Sequence, residues 1–273
     1  MEDDGSETQL LDQLSDDEGK LFDLGNIDGQ EMEVGRTYIL REVAAPTGYG
    51  RMTADVLMVR HSNNKVSIAV RYTAADGSQK TIDLVDENGE VVTKEYVDAG
   101  NNKVSVKADG TVLIEDDHIH FIVNKVDAGN GEEVEGAKIV VIDKETGKEV
   151  DSWTSKKGET HDFGDKLEAG KTYILRETVA PEGYDKITTD IEVKVSEEGV
   201  VTTELKATTD KDGNTVYLVE DNAVKKAETK TTTTSKAVRT GDFSQPMFWL
   251  LLMAAALLSA VAVILRRRHA EHK

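Results

Sequence analysis

The chain has 273 residues, a formal net charge of -19 and no cysteine. That length allows about two domains, the lack of Cys removes disulfide stapling, and the acidity argues against nucleic acid as a partner, because phosphate binding needs clustered Lys and Arg. Aromatic residues make up only 5%, so any core is expected to be built from Val, Ile, Leu and Tyr.

Residues 1–20 run acidic from Met1, with no basic and apolar leader. No signal peptide is read there, and Met1 is expected to be an internal or truncated start. The phrase Gly35-Arg-Thr-Tyr-Ile-Leu-Arg-Glu-Val-Ala-Ala-Pro-Thr-Gly-Tyr49 returns as Gly170-Lys-Thr-Tyr-Ile-Leu-Arg-Glu-Thr-Val-Ala-Pro-Glu-Gly-Tyr184, which marks an internal repeat. Each copy reads as a strand of period two, with Tyr173, Leu175 and Glu177 on one face, closed by Pro and Gly. The glutamate is the odd member, since it continues the apolar face, where a carboxylate is costly unless paired or protonated.

Short alternating runs follow in both copies. In the first they are 56–60, 66–72, 81–85, 91–96, 104–106 and 111–115, with turns at Asp76-Gly77, Asn88-Gly89 and Asp109-Gly110. In the second they are 120–126, 137–142, 149–153, 173–175, 191–195, 200–205 and 215–219. Short strands at this spacing predict an all-β fold of tandem immunoglobulin-like sandwiches. The expected boundaries are 1–118 for a first repeat and 119–224 for a complete second one.

Aligning Leu14–Gly19 with Trp153–Gly158 puts the counterpart of Lys125 about fourteen residues before Met1, so the first repeat is expected to lack its first strand. It is also about thirty residues longer between Glu42 and Asp116 than the second is between Glu177 and Asp221, which predicts one or two extra hairpins. His118 and His120 flank Ile119 at the junction without a third ligand in register, so no metal site and no cofactor are expected.

Residues 225–246 are Thr- and Lys-rich and read as a flexible spacer. Residues 247–265 are uncharged and apolar, long enough at 1.5 Å per residue to cross a hydrocarbon core of roughly 30 Å as a transmembrane helix. Arg266, Arg267 and Arg268 open a basic tail, 266–273, that the positive-inside rule assigns to the cytoplasm, leaving both repeats extracellular.

These residues resemble a known family. The Tyr-x-Leu-x-Glu phrase ending in Ala-Pro-x-Gly-Tyr, with Asn124-Lys125-Val126-Asp127 and Gly136–Asp143, is similar to the Cna B-type, SpaA-like prealbumin-fold repeats of Gram-positive surface proteins. The resemblance implies that Lys125 attacks Asp221 to form an intramolecular isopeptide bond, with Glu177 as the acid/base. Asn222 is the alternative acceptor, and Glu42 and Asp116 are the counterparts in the first repeat. On their own terms, Lys125, Glu177 and Asp221 each end an apolar strand face, and loss of water there favours a neutral amine and protonated carboxyls. Such a closure would contribute roughly 4–5 kcal/mol by the chain-entropy estimate made for disulfides.

Ala237-Val-Arg-Thr-Gly-Asp242 before the apolar run resembles a sortase signal of the Leu-Pro-x-Thr-Gly type, which implies cleavage between Thr240 and Gly241. Ala237 and Val238 stand where the type has Leu and Pro. The implied partners are a sortase, peptidoglycan after anchoring, and a host matrix protein bound through a head domain outside this sequence. The expected function is the structural stalk of a cell-wall or membrane-anchored adhesin. The alternatives are a sortase-assembled pilus subunit, for which no receiving lysine motif is seen, and an extracellular hydrolase with paired carboxylates, for which no nucleophile motif is seen.

Overall fold

The computed structural model describes residues 7–10, 26–27 and 30–224. Among these described residues the elements are eighteen β-strands and one short 3-10 turn. The expected spacer, transmembrane segment, basic tail and Thr240–Gly241 cleavage point all lie outside the described residues. Among those described, no helix is long and apolar enough to cross a membrane.

The amino-terminal half begins with a two-residue hairpin of β1 (Asn26–Ile27) and β2 (Gln30–Glu31). Next come β3 (Thr37–Leu40), β4 (Asp55–Arg60), β5 (Val66–Thr73) and β6 (Gln79–Val85), an antiparallel sheet in sequence order. A second sheet holds β7 (Glu95–Val97), β8 (Lys103–Val106) and β9 (Val112–Glu115). Val56, Met58, Ile68, Val70 and Leu84 of the first sheet bury with Val104 of the second. The alternation in the sequence is thus the pleat itself, each second side chain pointing into the space between sheets.

In the carboxy-terminal half, β10 (Ile122–Asp127), β11 (Lys138–Asp143), β12 (Glu149–Thr154) and β13 (His161–Asp162) precede the 3-10 turn Gly164–Lys166. They are followed by β14 (Thr172–Val179), β15 (Ile191–Val195), β16 (Val201–Thr203), β17 (Lys206–Thr209) and β18 (Thr215–Asp221). Two sheets result, ordered β13-β10-β18-β17 and β12-β11-β14-β15-β16. Phe121, Val123, Ile139, Val141, Tyr173, Leu175, Val193 and Val219 fill the space between them. β10 and β18 are paired in parallel, so the first and last strands of this half lie side by side.

Two expected runs break differently. In 91–96 only Glu95 and Tyr96 are in β7, and Val91 makes an isolated bridge to Val85. The run 200–205 stops at Thr203, after which Lys206–Thr209 forms an edge strand whose four residues are all exposed. Such a strand buries nothing, so no apolar period announces it.

The halves meet across backbone hydrogen bonds. Gly48 N–H donates to Leu167 O at 2.7 Å, Arg51 N–H to Glu197 O at 2.8 Å, and Ile119 N–H to Gly48 O at 2.8 Å. Asn102, fully buried, ties the joint together. Its Nδ2 donates to Glu198 O at 3.0 Å and to Asp98 Oδ2 at 3.0 Å, while its Oδ1 accepts from Asp117 N–H at 2.8 Å. Gly50 and Gly100 both back onto Glu198, and a Cβ at Gly50 would come within 2.6 Å of the Glu198 carbonyl carbon.

Candidate cross-linking site

Three strands bring Lys125, Glu177 and Asp221 together. β10 and β18 run parallel with Lys125 opposite Val219 and Asp127 opposite Asp221, so Lys125 and Asp221 are diagonal neighbours on one face. Glu177 reaches the same point from β14 in the facing sheet, where it stands opposite Ile139. All three are enclosed, with 0%, 3% and 1% of their surface exposed. Lys125 Nζ lies against Asp221 Oδ1 and is 3.4 Å from Glu177 Oε1.

Lys125 Nζ is thus in ion-pair contact with both carboxyls at once, and among the described residues no other donor or acceptor serves Glu177 Oε1 or the Asp221 oxygens. Glu177 is held from its other oxygen, where Oε2 accepts from Ile187 N–H at 2.7 Å. Burial raises the Glu177 carboxyl above its ordinary value; the Ile187 hydrogen bond and the Lys125 charge oppose this, and Asp221 adds to it. The cluster therefore contains an amine, a facing carboxyl and a second carboxyl biased towards its protonated form, in a pocket without water access. That composition suits condensation of an amine with a carboxylic acid.

The Pro-x-Gly-Tyr words explain how Asp221 is aimed. Tyr184 N–H donates to Pro181 O at 3.2 Å, and Gly183 adopts φ +86°, a left-handed turn that glycine accepts readily. The turn then grips the chain beyond Asp221, with Asp185 N–H donating to Asn222 O at 3.0 Å and Val224 N–H to Gly183 O at 2.8 Å. Asn222 itself is exposed and does not enter the cluster. Tyr184 Oη donates to Asp127 Oδ2 at 2.9 Å, a clamp on the end of β10 that the sequence reading missed. Ile187 was missed as well, because a backbone donor leaves no signature in residue type.

The amino-terminal half repeats this wiring. Tyr49 N–H donates to Pro46 O at 3.2 Å, Gly50 N–H to Asp117 O at 2.9 Å, and Ile119 N–H to Gly48 O at 2.8 Å. Glu42 Oε2 accepts from Met52 N–H at 2.9 Å, as Glu177 does from Ile187. Glu42 lies beside Asp116, and burial followed by the Asp116 charge pushes its carboxyl up to about 7. Asp116 is raised as well, chiefly by burial. His118 lies against Tyr49 with ring centroids 4.2 Å apart and the rings tilted by 37°, and His120 contacts Asp162 at 3.1 Å. No cluster of metal-ligating side chains occurs among the described residues.

Among solved structures, the chain is similar to the C-terminal fragment of the pilus adhesin SpaC from Lactobacillus rhamnosus GG, at 21% identity and a TM-score of 0.34, covering 71% of this chain and 79% of that one. It spans about 25% of SpaC in its open conformation. BcpA, the major pilin subunit of Bacillus cereus, matches at 17% identity and a TM-score of 0.28, covering 66% of this chain and 40% of that one. No curated protein matches the chain. Residues 119–211 match the family described as the SpaA prealbumin-like fold domain, the family that the carboxy-terminal half resembles.

Proposed function

We propose that the chain is a structural stalk segment of a Gram-positive surface protein, a pilus adhesin or a related pilus subunit, whose carboxy-terminal domain locks itself with an isopeptide bond between Lys125 and Asp221. The observation that carries this reading is the enclosed contact of Lys125 Nζ with Asp221, with Glu177 3.4 Å from the same amine. Neutral Lys125 attacks the Asp221 carboxyl carbon while protonated Glu177 polarises the carbonyl oxygen. Glu177 then carries the amine proton to the departing hydroxyl, and one amide and one water result. The ordinary alternative, a buried ion cluster, keeps three ionisable side chains enclosed among apolar residues, where the desolvation of the charges offsets their attraction.

The tandem arrangement, anchoring through 247–265 and sortase cleavage between Thr240 and Gly241 belong to the same proposal, as do attachment to peptidoglycan and an extracellular location. Intact-mass measurement tests the lock. The chain is expected to weigh about 18 Da less than its sequence requires, the mass of one water. Lys125→Ala and Glu177→Ala should restore the full mass, and a chain at full mass without substitution would refute the bond. Covalent ladders on cell-wall extraction would mark a polymerised pilus subunit, and a single species would mark a monomeric stalk.

A further inference from the structure

We propose that Arg41 and Arg71 form a carboxylate-binding site on the amino-terminal half, held by Glu7 of this chain and open to the carboxylate of an acidic peptide from another polypeptide when Glu7 leaves. β4 begins with Asp55, which stands opposite Arg71 of β5. Arg41, just past the end of β3, grips the same carboxyl: its Nε donates to Asp55 Oδ1 at 2.6 Å and its Nη2 to Oδ2 at 2.9 Å. Arg71 Nε donates to Asp55 Oδ2 at 3.2 Å. Asp55 is buried and still ionised, because burial works against its charge but the bonds from Arg41 and Arg71 outweigh this and hold its carboxyl below its ordinary value. One carboxylate therefore serves two guanidinium groups, and a positive charge is left over on a chain whose formal net charge is -19.

Two observations show what that surplus attracts. The first is Glu7, whose Oε2 accepts from Arg41 Nη1 at 2.9 Å and whose Oε1 lies 3.8 Å from Arg71 Nη2. Residues 7–10 are all exposed, so among the described residues it is the carboxylate that ties Glu7 to the sheet. The second is the other half, which sets an arginine and an aspartate at the same spacing of 14 residues but without the surplus. Arg176 Nε and Nη2 donate to Asp190 Oδ1 and Oδ2, both at 2.6 Å, and among the described residues Asp190 has no second cation. Continuing the β15–β16 register would set Lys206 opposite Asp190, but Lys206 lies in β17 of the facing sheet and pairs with Glu220. One arginine and one aspartate cancel there, and among the described residues no further carboxylate is seated on Arg176. Arg71 is thus the residue that turns a neutral pair into an anion site, and a carboxylate suits it, since a guanidinium edge presents paired donors to two oxygens. The Arg41 and Glu7 side chains are 43% and 44% exposed, so their contact is weak and exchangeable.

The probe is the peptide Glu-Thr-Gln-Leu of residues 7–10, acetylated and amidated so that its glutamate is its sole carboxylate, with Gln-Thr-Gln-Leu as the control. The arginine Nε–Hε resonances of the full chain, assigned through Arg41→Lys, Arg71→Lys and Arg176→Lys, are read by NMR. Glu7→Gln should shift the Arg41 and Arg71 signals, and adding the acidic peptide to that variant should return them, saturably, to their wild-type positions. Wild-type signals should stay still at peptide concentrations that saturate the variant, because Glu7 already holds the site at high effective concentration. In the Glu7→Gln background, Arg71→Gln reproduces the neutral pair of the other half and should abolish the response of Arg41, whereas Arg71→Lys keeps the charge and should retain it. Arg176 serves as the internal control and should not respond to either peptide. Coincident wild-type and Glu7→Gln spectra, an equal response to the glutamine peptide, or a response that survives Arg71→Gln would overturn the inference. A shift on Glu7→Gln with no response to the acidic peptide would overturn it too, reducing Glu7 to a fixed surface ion pair.

Discussion

Glu177 performs its proposed task because of where its two oxygens sit. Oε2 is fixed by Ile187 N–H, so Oε1 has one direction left, towards Lys125 and Asp221. Glu177→Gln preserves the shape but cannot carry a proton, so it should fold and yet leave the mass loss incomplete after days, read by intact mass. The twin carboxyl gives a prediction about pH. Glu42 has a carboxyl value of about 7 in the fold against an ordinary 4.5, so the folded state binds its proton more tightly than the unfolded chain does. The stability this contributes is fully present below about pH 4.5 and is lost as pH rises through 7, an effect on the order of 2 kcal/mol after solvent screening. Urea unfolding of the amino-terminal half at pH 5.5 and 8 should show the midpoint falling with pH, and Glu42→Gln should flatten the trend.

At the scale of elements, the parallel β10–β18 pair makes the site, because it sets the first and last strands of the half in neighbouring positions. Phe121 and Tyr173 pack the core beside it, both essentially without exposure, and Phe121→Ala should cost about 3–5 kcal/mol in denaturant unfolding. Much of this was legible in the residues. Tyr173, Leu175 and Glu177 alternate with Thr172, Ile174 and Arg176, and that period alone put the glutamate on the buried face. Lys125 and Asp221 were singled out by the family resemblance, and period two added only that each shares a face with apolar neighbours, both now seen to be buried. What period two cannot encode is pairing: that β10 lies parallel to β18, or that Ile187 N–H is the donor to Glu177, depends on chain reversals remote in sequence. The polar edge strand β17, Lys206–Thr209, was illegible because all four residues face water.

Over the whole molecule, the two halves share a joint closed by backbone atoms and by Asn102, which satisfies donors and acceptors from both sides. Backbone contacts of this kind leave no room for a side chain, so Gly50→Ala should push Glu198 away at a cost of about 1–3 kcal/mol. Faster amide exchange at Gly48, Arg51 and Ile119, with the two cores unchanged, would report that opening.

The parallel placement of β10 beside β18 also determines how the protein meets mechanical load. Pulled from Ile122 and from Asp221, the two strands slide past one another in shear, so their hydrogen bonds are stressed together and not one at a time. With Lys125 joined to Asp221, force entering β10 leaves through the side-chain amide after a few residues. The roughly 95 residues enclosed between them, on the order of 300 Å of extended chain, would then never be paid out. In single-molecule pulling, that half should behave as an inextensible link, while Lys125→Ala should restore its full unfolding step.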